Sequence, residues 1–279
     1  MRILILGHSG MLGSDLLLRL SAGHDVTGKD VADFDITSLL ACQNIIAEVN
    51  PEIVINAAAY TDVDGCESNI EECFAVNAGG IRNVALACKN IKIVHFSTDY
   101  VYDGQKEIPY EEDDTCQPLN SYGRSKLEGE CSLEVFSDNF LLIRTAWLYG
   151  INGRNFVKTI MEKIATALAL DVVDDQIGSP TYTWDLAAAV QLLIEGNHKG
   201  VFHVTNSGHC SWYEFAIKIL ECVGRGDILV RPIKSNHLTR PASRPLYSVL
   251  SCEKFQKITG QTMRPWQNAL LDYIGRVVQ

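Results

Sequence analysis

The sequence predicts an α/β fold in which helices cover both faces of a parallel sheet, and three observations support this. Short apolar runs alternate with segments of helical spacing through the first 150 residues, a pattern typical of βαβ units. A glycine-rich turn joins the first run to the first helical segment. After Gly150 the alternation loosens and turn residues become frequent. We therefore expect a Rossmann-like, doubly wound domain over residues 1–150 and a smaller C-terminal α/β substrate domain over residues 151–279.

The first βαβ unit contains a pattern typical of dinucleotide binding. Residues 2–6 form an apolar run that predicts a buried parallel strand, and Met11 begins a segment with apolar residues at helical spacing. Between them Gly7, Gly10 and Gly13 have the spacing G-x-x-G-x-x-G. Glycines here allow a tight turn and a close backbone approach to a pyrophosphate, which then lies at the helix N-terminus.

The end of the second strand supplies a candidate ribose ligand. Residues 24–30 predict this strand, and Asp30 stands at its end. A carboxylate there hydrogen-bonds the adenosine ribose hydroxyls and disfavours a 2′-phosphate, whereas a solvated turn aspartate would do neither. Lys29 beside it could pair with the phosphate of NADP. The sequence therefore leaves the choice between NADH and NADPH open.

Further strands and helices alternate up to residue 150. The sequence predicts a helix over 38–48 with Thr37 as its N-cap, strand 53–59, helix 71–89, strand 92–96, a helix capped by Ser121, and strand 140–147. The third strand ends in three alanines, whose small side chains let a ligand approach. The acidic loop 103–120 is long for a connection, which is typical of a functional loop.

The C-terminal part is less regular. The sequence predicts helix 156–168, a turn-rich loop over 174–181, helix 184–194, strand 200–204 and helix 212–222. We expect residues 181–200 to pack back on the first domain. Four arginines lie among the prolines of the tail, namely Arg231, Arg240, Arg244 and Arg264. They suit loops over an anionic ligand, although scattered surface arginines would give the same pattern.

A tyrosine and a lysine four residues apart are the strongest catalytic candidates. Tyr122 and Lys126 lie on the same face of a predicted helix. A lysine ammonium beside a phenol favours the phenolate, so we expect the pKa of Tyr122 below its usual value of about 10. Such a tyrosine can donate a proton to a carbonyl oxygen. An ordinary amphipathic helix has the same spacing, so the glycine turn and the Phe-Ser-Thr-Asp-Tyr segment at 96–100 decide in favour of catalysis.

Composition argues against several other classes of function. The 24 Lys and Arg against 34 Asp and Glu give a net charge of −10, which disfavours nonspecific binding to nucleic acid or to anionic membranes. The nine cysteines include no Cys-x-x-Cys pair, so we expect free thiols in a reducing cytoplasm and no zinc site. The first apolar run is too short for a signal peptide or a membrane span. Asp62, Asp64 and Glu67 lack metal-ligand spacing, and no histidine forms a hydrolase triad pattern with a serine.

Together, the glycine turn, the segment 96–100 and the Tyr122–Lys126 pair resemble the extended short-chain dehydrogenase/reductase family. Within this family the chain is similar, over nearly its full length, to reductases of dTDP-linked deoxysugars. The motifs of this similarity are residues 56–64, 97–104, 144–150, 155–157, 175–181, 211–216 and 244–250. The last four lie in the substrate domain and separate this subfamily from sugar epimerases and dehydratases.

The resemblance implies reduction, with NADPH or NADH, of the 4-keto group of dTDP-4-dehydro-L-rhamnose to dTDP-L-rhamnose. It implies that Tyr122 donates the proton, Lys126 lowers its pKa and holds the nicotinamide ribose, and Thr98 orients the carbonyl. The implied dinucleotide contacts are Gly7, Gly10, Met11, Leu12, Gly13, Asp30, Asp35, Ile36, Ala59, Tyr60, Thr61, Tyr122 and Lys126. The expected substrate contacts are Thr98, Asp99, Tyr100, Trp147 and, through phosphate, Arg244.

Alternatives of two classes remain open. The chain could be another nucleotide-sugar reductase or an epimerase of the same family, or a non-enzymatic partner resembling the regulatory subunit of methionine adenosyltransferase. Thr98, Tyr122 and Lys126 count against a purely regulatory role. Some family members dimerise through Mg²⁺ held by acidic residues, a feature that only Asp15 matches loosely. The sequence therefore assigns no metal ligands, leaves the use of Mg²⁺ open, and leaves monomer and homodimer open.

Overall fold

The protein, described over residues 1–277 by a computed structural model, alternates strands and helices in its first half. The strands are β1 (Arg2–Leu6), β2 (Asp25–Lys29), β3 (Ile53–Asn56), β4 (Lys92–Thr98), β5 (Phe140–Thr145) and β6 (Leu148–Tyr149). The helices are α1 (Met11–Leu20), α2 (Leu39–Val49), α3 (Gly65–Ser68), α4 (Ile70–Phe74), α5 (Gly80–Cys88) and α6 (Ser121–Phe136). A π-helical turn covers Ala75–Gly79, and a 3-10 turn covers Asp99–Val101.

The second half contains shorter strands. These are β7 (Ala169–Val173), β8 (Ile177–Gly178), β9 (Thr181–Tyr182), β10 (Gly200–His203), β11 (Cys210–Ser211) and β12 (Leu229–Ile233). The helices are α7 (Phe156–Ile164), α8 (Thr183–Glu195), α9 (Trp212–Cys222), α10 (Glu253–Thr259) and α11 (Trp266–Val277), with a 3-10 turn over Ser235–His237. Within the described residues, no helix combines the length and apolarity that crossing a membrane requires.

Six strands form one parallel sheet in the order β10-β5-β4-β3-β1-β2. Strands β1, β3, β4 and β5 are almost entirely buried because helices cover both faces. The predicted doubly wound α/β class is therefore confirmed. The chain leaves β1 towards β2 on one side and returns to β3 on the other. The carboxyl ends of β1 and β3 therefore flank the crevice where such sheets bind ligands.

Each face of the sheet has its own hydrophobic core. On one face α1 packs beside α8, and Leu16, Leu186 and Val190 are fully buried with Ile5 of β1. On the other face α2, α5 and α6 cover the strands, with Leu133 of α6 in the second cluster. Helix α8, on the α1 face, and strand β10, at one edge of the sheet, both come from the C-terminal half of the chain. The predicted division of the chain at residue 150 stays a prediction.

An aromatic core lies within the part of the structure formed by β7, β12, α7, α9 and α11, which we call the C-terminal layer. The parallel pair β7–β12 packs with α7, α9 and α11. Tyr149, Tyr182, Phe215 and Tyr273 are buried there, with ring centroids 5.3 to 5.7 Å apart. Aromatic pairs at such distances add about 0.5–1.5 kcal/mol beyond their burial, so this core holds the loops above it firmly.

The helix predicted over residues 71–89 is broken in the structure. The π-helical turn Ala75–Gly79 separates α4 from α5, and such turns are frequent at functional sites. Within it, the buried side chain of Asn77 donates to Tyr60 O at 3.0 Å and accepts from Tyr60 N at 2.8 Å. The break therefore places an amide against the loop that follows β3.

Other predicted boundaries differ by a few residues. Ser38 rather than Thr37 caps α2, and Asn120 rather than Ser121 caps α6. Helix α7 ends before the predicted residue 168, because the chain then turns into β7 to pair with β12. Neither of these two short strands was predicted, since both lack a clean alternation of apolar and polar residues.

Candidate active site

The glycine turn after β1 brings three segments of main chain unusually close together. Gly7 has φ +81°, and a Cβ on it would lie 2.7 Å from Ala58 N. A Cβ on Gly13 would lie 2.0 Å from Gly7 O. Gly10, at the N-terminus of α1, provides no side-chain cap, so the first amide N–H groups of the helix point at the turn without side-chain partners. This geometry fits a pyrophosphate, which needs close approach and free backbone donors.

A cavity of about 330 Å³ opens between the turn and the ends of β2 and β3. We call it the glycine cleft; it is lined by Gly7, Ser9, Gly10, Asp30, Val31, Phe34, Asp35, Ile36, Ala57, Ala58, Ala59, Tyr60 and Val76. Seven of these were expected from the sequence. Val31, Phe34 and Val76 were missed because apolar cleft walls have no motif. Of the other expected contacts, Leu12 is 7% exposed and packs in the core, while Thr61 is exposed.

Asp30 is fastened to the glycine turn. Its Oδ2 accepts from Ser9 N at 3.0 Å and also from the Ser9 hydroxyl. Partial burial raises the pKa of Asp30, but the hydrogen bonds from Ser9 and Val31 outweigh it, so the pKa lies below the usual value. The neighbouring Lys29 Nζ lies 3.3 Å from Glu48 Oε1. At the end of β2 the negative charge of Asp30 is therefore not neutralised by Lys29, which already pairs with Glu48.

Two side chains restrain the first turn of helix α6, which carries Tyr122 and Lys126. Asn120 Oδ1 accepts from Gly123 N at 2.8 Å, and the Glu67 carboxylate accepts from Ser121 N at 2.7 Å. Lys126 is only 3% exposed, whereas Tyr122 is partly exposed as a whole residue with its phenol group enclosed by protein. These contacts orient the first turn of the helix, and neither the cap nor the glutamate was recognised from the sequence.

Thr98 and Asp99 end β4 beside this turn of α6. Thr98 Oγ1 donates to Asp99 Oδ1 at 3.1 Å and accepts from Tyr100 N at 3.2 Å. Burial raises the pKa of Asp99 to about 7, despite the hydroxyls of Ser248 and Thr98 nearby. The Tyr100 ring meets the Tyr122 ring edge-on with centroids 6.2 Å apart. Thr98 and Tyr122 are thus brought together where the sheet meets α6, with Lys126 one turn further along that helix.

The expectation of a lowered pKa for Tyr122 is wrong in this structure. Burial and the negative charge of Asp99 raise its pKa well above the usual value, with the Thr98 hydroxyl opposing them. Lys126 is itself buried, which lowers its pKa to about 8. Tyr122 therefore stays protonated at neutral pH, the form that a proton donor requires.

Asn77 connects this group to the glycine cleft and was not recognised as a site residue. Besides holding Tyr60, its Nδ2 donates to Ser125 Oγ at 2.9 Å. Ser125 lies between Tyr122 and Lys126 and donates to Tyr122 O at 2.7 Å. An asparagine two residues before a glycine pair in a helical pattern was the available signal, because asparagine and glycine both have low helix propensity.

Asp15 is an internal residue of the fold. It is 6% exposed, and its Oδ2 accepts from Thr183 Oγ1 at 2.5 Å, which joins α1 to the start of α8. Burial raises its pKa. A buried carboxylate bonded within its own chain does not suit a metal shared between subunits. The structure therefore does not support Asp15 as a ligand of an intersubunit Mg²⁺. In residues 1–277 no three His, Cys, Asp or Glu side chains cluster as metal ligands would.

A larger cavity of about 640 Å³ starts at Tyr100 and runs into the C-terminal layer. We call it the arginine cleft; it is lined by Tyr100, Phe156, Thr159, Ile160, Lys163, Thr166, Ala167, residues 169–173, Trp212, Leu238, Arg240 and Arg244. Its walls combine aromatic rings with three basic side chains. Such a lining suits a ligand that has both a ring system and negative charge.

Trp147 does not line the arginine cleft itself but packs behind Trp212, which does. Its indole stacks on Trp212 with centroids 3.5 Å apart and planes within 5°. Trp147 has φ +48°, and a Cβ on Gly178 would lie 2.4 Å from its ring. The stack holds Trp212 in place as a wall of the cleft. The sequence analysis recognised the motif at residues 211–216 but did not indicate this role for Trp212.

The tail arginines have separate partners. Arg244 makes a two-pronged ion pair with Asp64, with N–O distances of 2.6 and 2.7 Å. Arg264 pairs with Asp185 and Asp272, and Arg231 pairs with Asp171, so both hold the C-terminal layer together. Arg240 is exposed and forms no ion pair within 4.0 Å inside the described range. Only Arg240 and Arg244 therefore reach the arginine cleft.

Comparison with known proteins gives a consistent result. The family described as "RmlD substrate binding domain" matches residues 1–279. The dTDP-4-dehydrorhamnose reductase of Mycolicibacterium smegmatis is 40% identical over 283 residues, covering 99% of this chain and 86% of that protein. A crystal structure of a dTDP-4-dehydrorhamnose reductase from Clostridium acetobutylicum is 41% identical, with a TM-score of 0.96 and full coverage of both chains. The same enzyme from Bacillus anthracis, in complex with NADP, is 36% identical with a TM-score of 0.95 and 99% coverage of each chain.

Proposed function

The chain belongs to the RmlD substrate binding domain family, and from this premise we propose that it reduces dTDP-4-dehydro-L-rhamnose to dTDP-L-rhamnose with NADPH or NADH. One observation supports this reaction most strongly. Tyr122, with the Thr98 hydroxyl beside it and Lys126 one turn further along α6, packs edge-on against Tyr100 of the arginine cleft. Tyr100 extends from this group into the arginine cleft, and Asn77 ties it to Tyr60 of the glycine cleft.

The glycine cleft fits a nicotinamide dinucleotide on its own geometry. Gly7 lets the turn lie directly against the main chain at Ala58, which leaves no room for a Cβ, and the uncapped start of α1 offers backbone donors to a pyrophosphate. Asp30 stands where it can accept hydrogen bonds from ribose hydroxyls. When bound, the reduced nicotinamide supplies a hydride to the sugar carbonyl carbon.

In the proposed mechanism Tyr122 gives its phenolic proton to the carbonyl oxygen as that oxygen becomes an alkoxide. Its raised pKa keeps the proton in place until then. We assign to the ammonium of Lys126, one turn along α6, the stabilisation of the phenolate that remains, against the burial that otherwise disfavours it. The Thr98 hydroxyl, next to Tyr122, holds the carbonyl oxygen towards the donor.

The arginine cleft is proposed to hold the nucleotide part of the substrate. Phe156 and Trp212 give flat apolar surfaces for a base, and Arg240 is placed for a diphosphate. Arg244 can contribute only if Asp64 shares its guanidinium or releases it. Substrate affinity is thereby linked to the loop at Asp64, which follows Tyr60 of the glycine cleft.

A cofactor-oxidation assay tests the proposal. The purified chain is mixed with NADPH or NADH and a panel of 4-keto nucleotide sugars, and loss of the reduced cofactor is followed together with the product by NMR. We expect turnover with dTDP-4-dehydro-L-rhamnose and little with UDP-linked analogues. Sugar epimers formed without net cofactor oxidation would identify an epimerase instead. Tight cofactor binding without turnover on any sugar would favour the regulatory class.

A further inference from the structure

Two buried thiols lie against the catalytic helix and play no part in the mechanism above. Cys66 of α3 and Cys73 of α4 are both 0% exposed, and their Sγ atoms are 2.7 Å apart. A disulfide bond measures about 2.05 Å, so the two sulfurs need to approach by less than 1 Å to bond. No other pair of thiols within the described residues shows a direct Sγ–Sγ contact.

Cys73 is connected to both ends of the proposed cofactor site. Its Sγ donates to Ser125 Oγ at 3.2 Å, on the turn of α6 that carries Tyr122 and Lys126. Asn77 Nδ2 lies 3.6 Å from the same Sγ and also holds Tyr60 O. A change at Cys73 therefore reaches the helix on one side and the glycine cleft on the other.

We propose that Cys66 and Cys73 are a reversible dithiol–disulfide pair and that closing the disulfide weakens dinucleotide binding. The oxidant is a small disulfide such as glutathione disulfide. One cysteine thiolate attacks it, forms a mixed disulfide and releases one thiol; the second cysteine then displaces the other thiol. The Cys66–Cys73 bond forms, the pair loses two electrons and two protons, and the oxidant is reduced to two thiols.

Access to the pair comes from the weak local structure around it. The two cysteines lie on helices of four and five residues, followed by the π-helical turn. Short elements of this kind open locally at low free-energy cost. Burial raises the pKa of Cys66, so the reaction waits for such opening and is slow.

The effect on the cofactor follows from the hydrogen bonds that are lost. In the disulfide, Cys73 no longer has a proton to donate to Ser125, and its sulfur moves towards Cys66. The Ser125 hydroxyl and the Asn77 amide must then rearrange, which shifts Lys126 and Tyr60 relative to each other. We expect the Kd for NADPH to rise about tenfold, the equivalent of roughly one lost hydrogen bond.

The test uses the full chain in its reduced form, treated with glutathione disulfide under native conditions. Remaining thiols are then alkylated, linked peptides are mapped by mass spectrometry, and NADPH binding is titrated by fluorescence. We expect a Cys66–Cys73 disulfide and weaker NADPH binding. Adding dithiothreitol should restore the two free thiols and the original Kd. Absence of that link, or a link with an unchanged Kd, would overturn the proposal.

Matched variants separate this pair from general thiol oxidation. Cys66→Ser, with Cys66→Ala as a second version, should bind NADPH normally and lose the response to the oxidant. Cys42→Ser removes another fully buried thiol, whose Sγ donates to Ile36 O at 3.5 Å, and should keep the response. A response that persists without Cys66 would contradict the proposal. The inference rests on the proposed cofactor but not on the proposed substrate, so a protein that binds NADPH without reducing any sugar fails the function test alone.

Discussion

The glycine cleft and the arginine cleft differ in what builds them. The turn side of the glycine cleft is formed by backbone, since Gly7, Gly10 and Ala58 let three segments approach within contact distance, and side chains such as Phe34 form the rest. The arginine cleft is formed by side chains from distant segments, among them Trp212 and Arg240. Backbone walls are determined by the fold and are available before any ligand arrives. Side-chain walls depend on partners that a ligand can replace, as with the Arg244–Asp64 pair.

This difference suggests how one family can keep a cofactor site while changing substrates. Substitutions on α9 or in the tail alter the arginine cleft without touching the turn at Gly7. The two clefts still communicate, because Asp64 follows the loop that lines the glycine cleft and holds Arg244 with both oxygens. The following predictions test how separate the two regions are.

The largest effect is expected at Tyr122, which is linked to a residue of each cleft. Tyr122→Phe keeps the ring beside Tyr100 but removes the donated proton, so turnover should fall by about 10²–10⁴. Neither the Kd for NADPH nor the melting temperature should change much. Steady-state kinetics measures turnover, fluorescence titration measures the Kd, and thermal unfolding measures the melting temperature. Near-normal turnover would remove Tyr122 from the mechanism.

One methyl group added in the glycine turn and one added behind the Trp147–Trp212 stack should separate the two clefts. Gly7→Ala forces an L residue to φ +81° with its Cβ 2.7 Å from Ala58 N, so NADPH affinity should drop by at least about tenfold, the equivalent of 1–2 kcal/mol of backbone strain. Gly178→Ala places a Cβ 2.4 Å from the Trp147 ring and should raise the substrate KM instead. Gly23→Ala, with no atom within 4 Å, is the neutral control. If both cleft variants change both affinities equally, the two regions are not separable.

The rate should fall at alkaline pH through Lys126. Burial lowers its pKa to about 8, so the ammonium that stabilises the Tyr122 phenolate is lost as the pH rises through that value. We expect kcat/KM to decrease about tenfold per pH unit above it. Lys126→Arg stays charged throughout this range, so its profile should lose this limb even though its rate is lower. A wild-type profile that stays flat to pH 10 would contradict this role.

Removing Arg244 should affect substrate binding more than turnover. Arg244→Ala takes away binding shared by ground and transition states, so KM should rise about tenfold with a smaller change in kcat. Asp64→Asn removes the competing carboxylate charge and is the matched comparison. If Arg244 binds phosphate, Asp64→Asn should leave the substrate KM unchanged or lower it. If the pair serves only to position the loop, both variants should raise the KM for the cofactor.

Sequence reasoning succeeded where structure depends on local patterns. The strand–turn–helix at residues 2–20 was predicted almost to the residue because apolar runs and glycines set it directly. It failed where the determinant is a distant partner. Asn77 interrupts a helix by bonding to Tyr60, 17 residues away, and Arg244 pairs with Asp64 across 180 residues. The pKa of Tyr122 was misjudged for the same reason, since burial is not visible in spacing.

The smallest effect is expected at the outer edge of the glycine cleft. Asp30 holds a negative charge beside the expected ribose position, and Lys29 is occupied by Glu48, so a 2′-phosphate meets repulsion there. Asp30→Asn removes the charge while its remaining oxygen can still accept from Ser9, which preserves the turn. The ratio of kcat/KM for NADPH to that for NADH should rise about fivefold, as roughly 1 kcal/mol at an exposed charge pair would give. Asp30→Ala should produce the same shift with weaker binding of both cofactors, because the bonds to Ser9 are lost as well. An unchanged ratio in both variants would mean that Asp30 supports the turn without contacting the ribose.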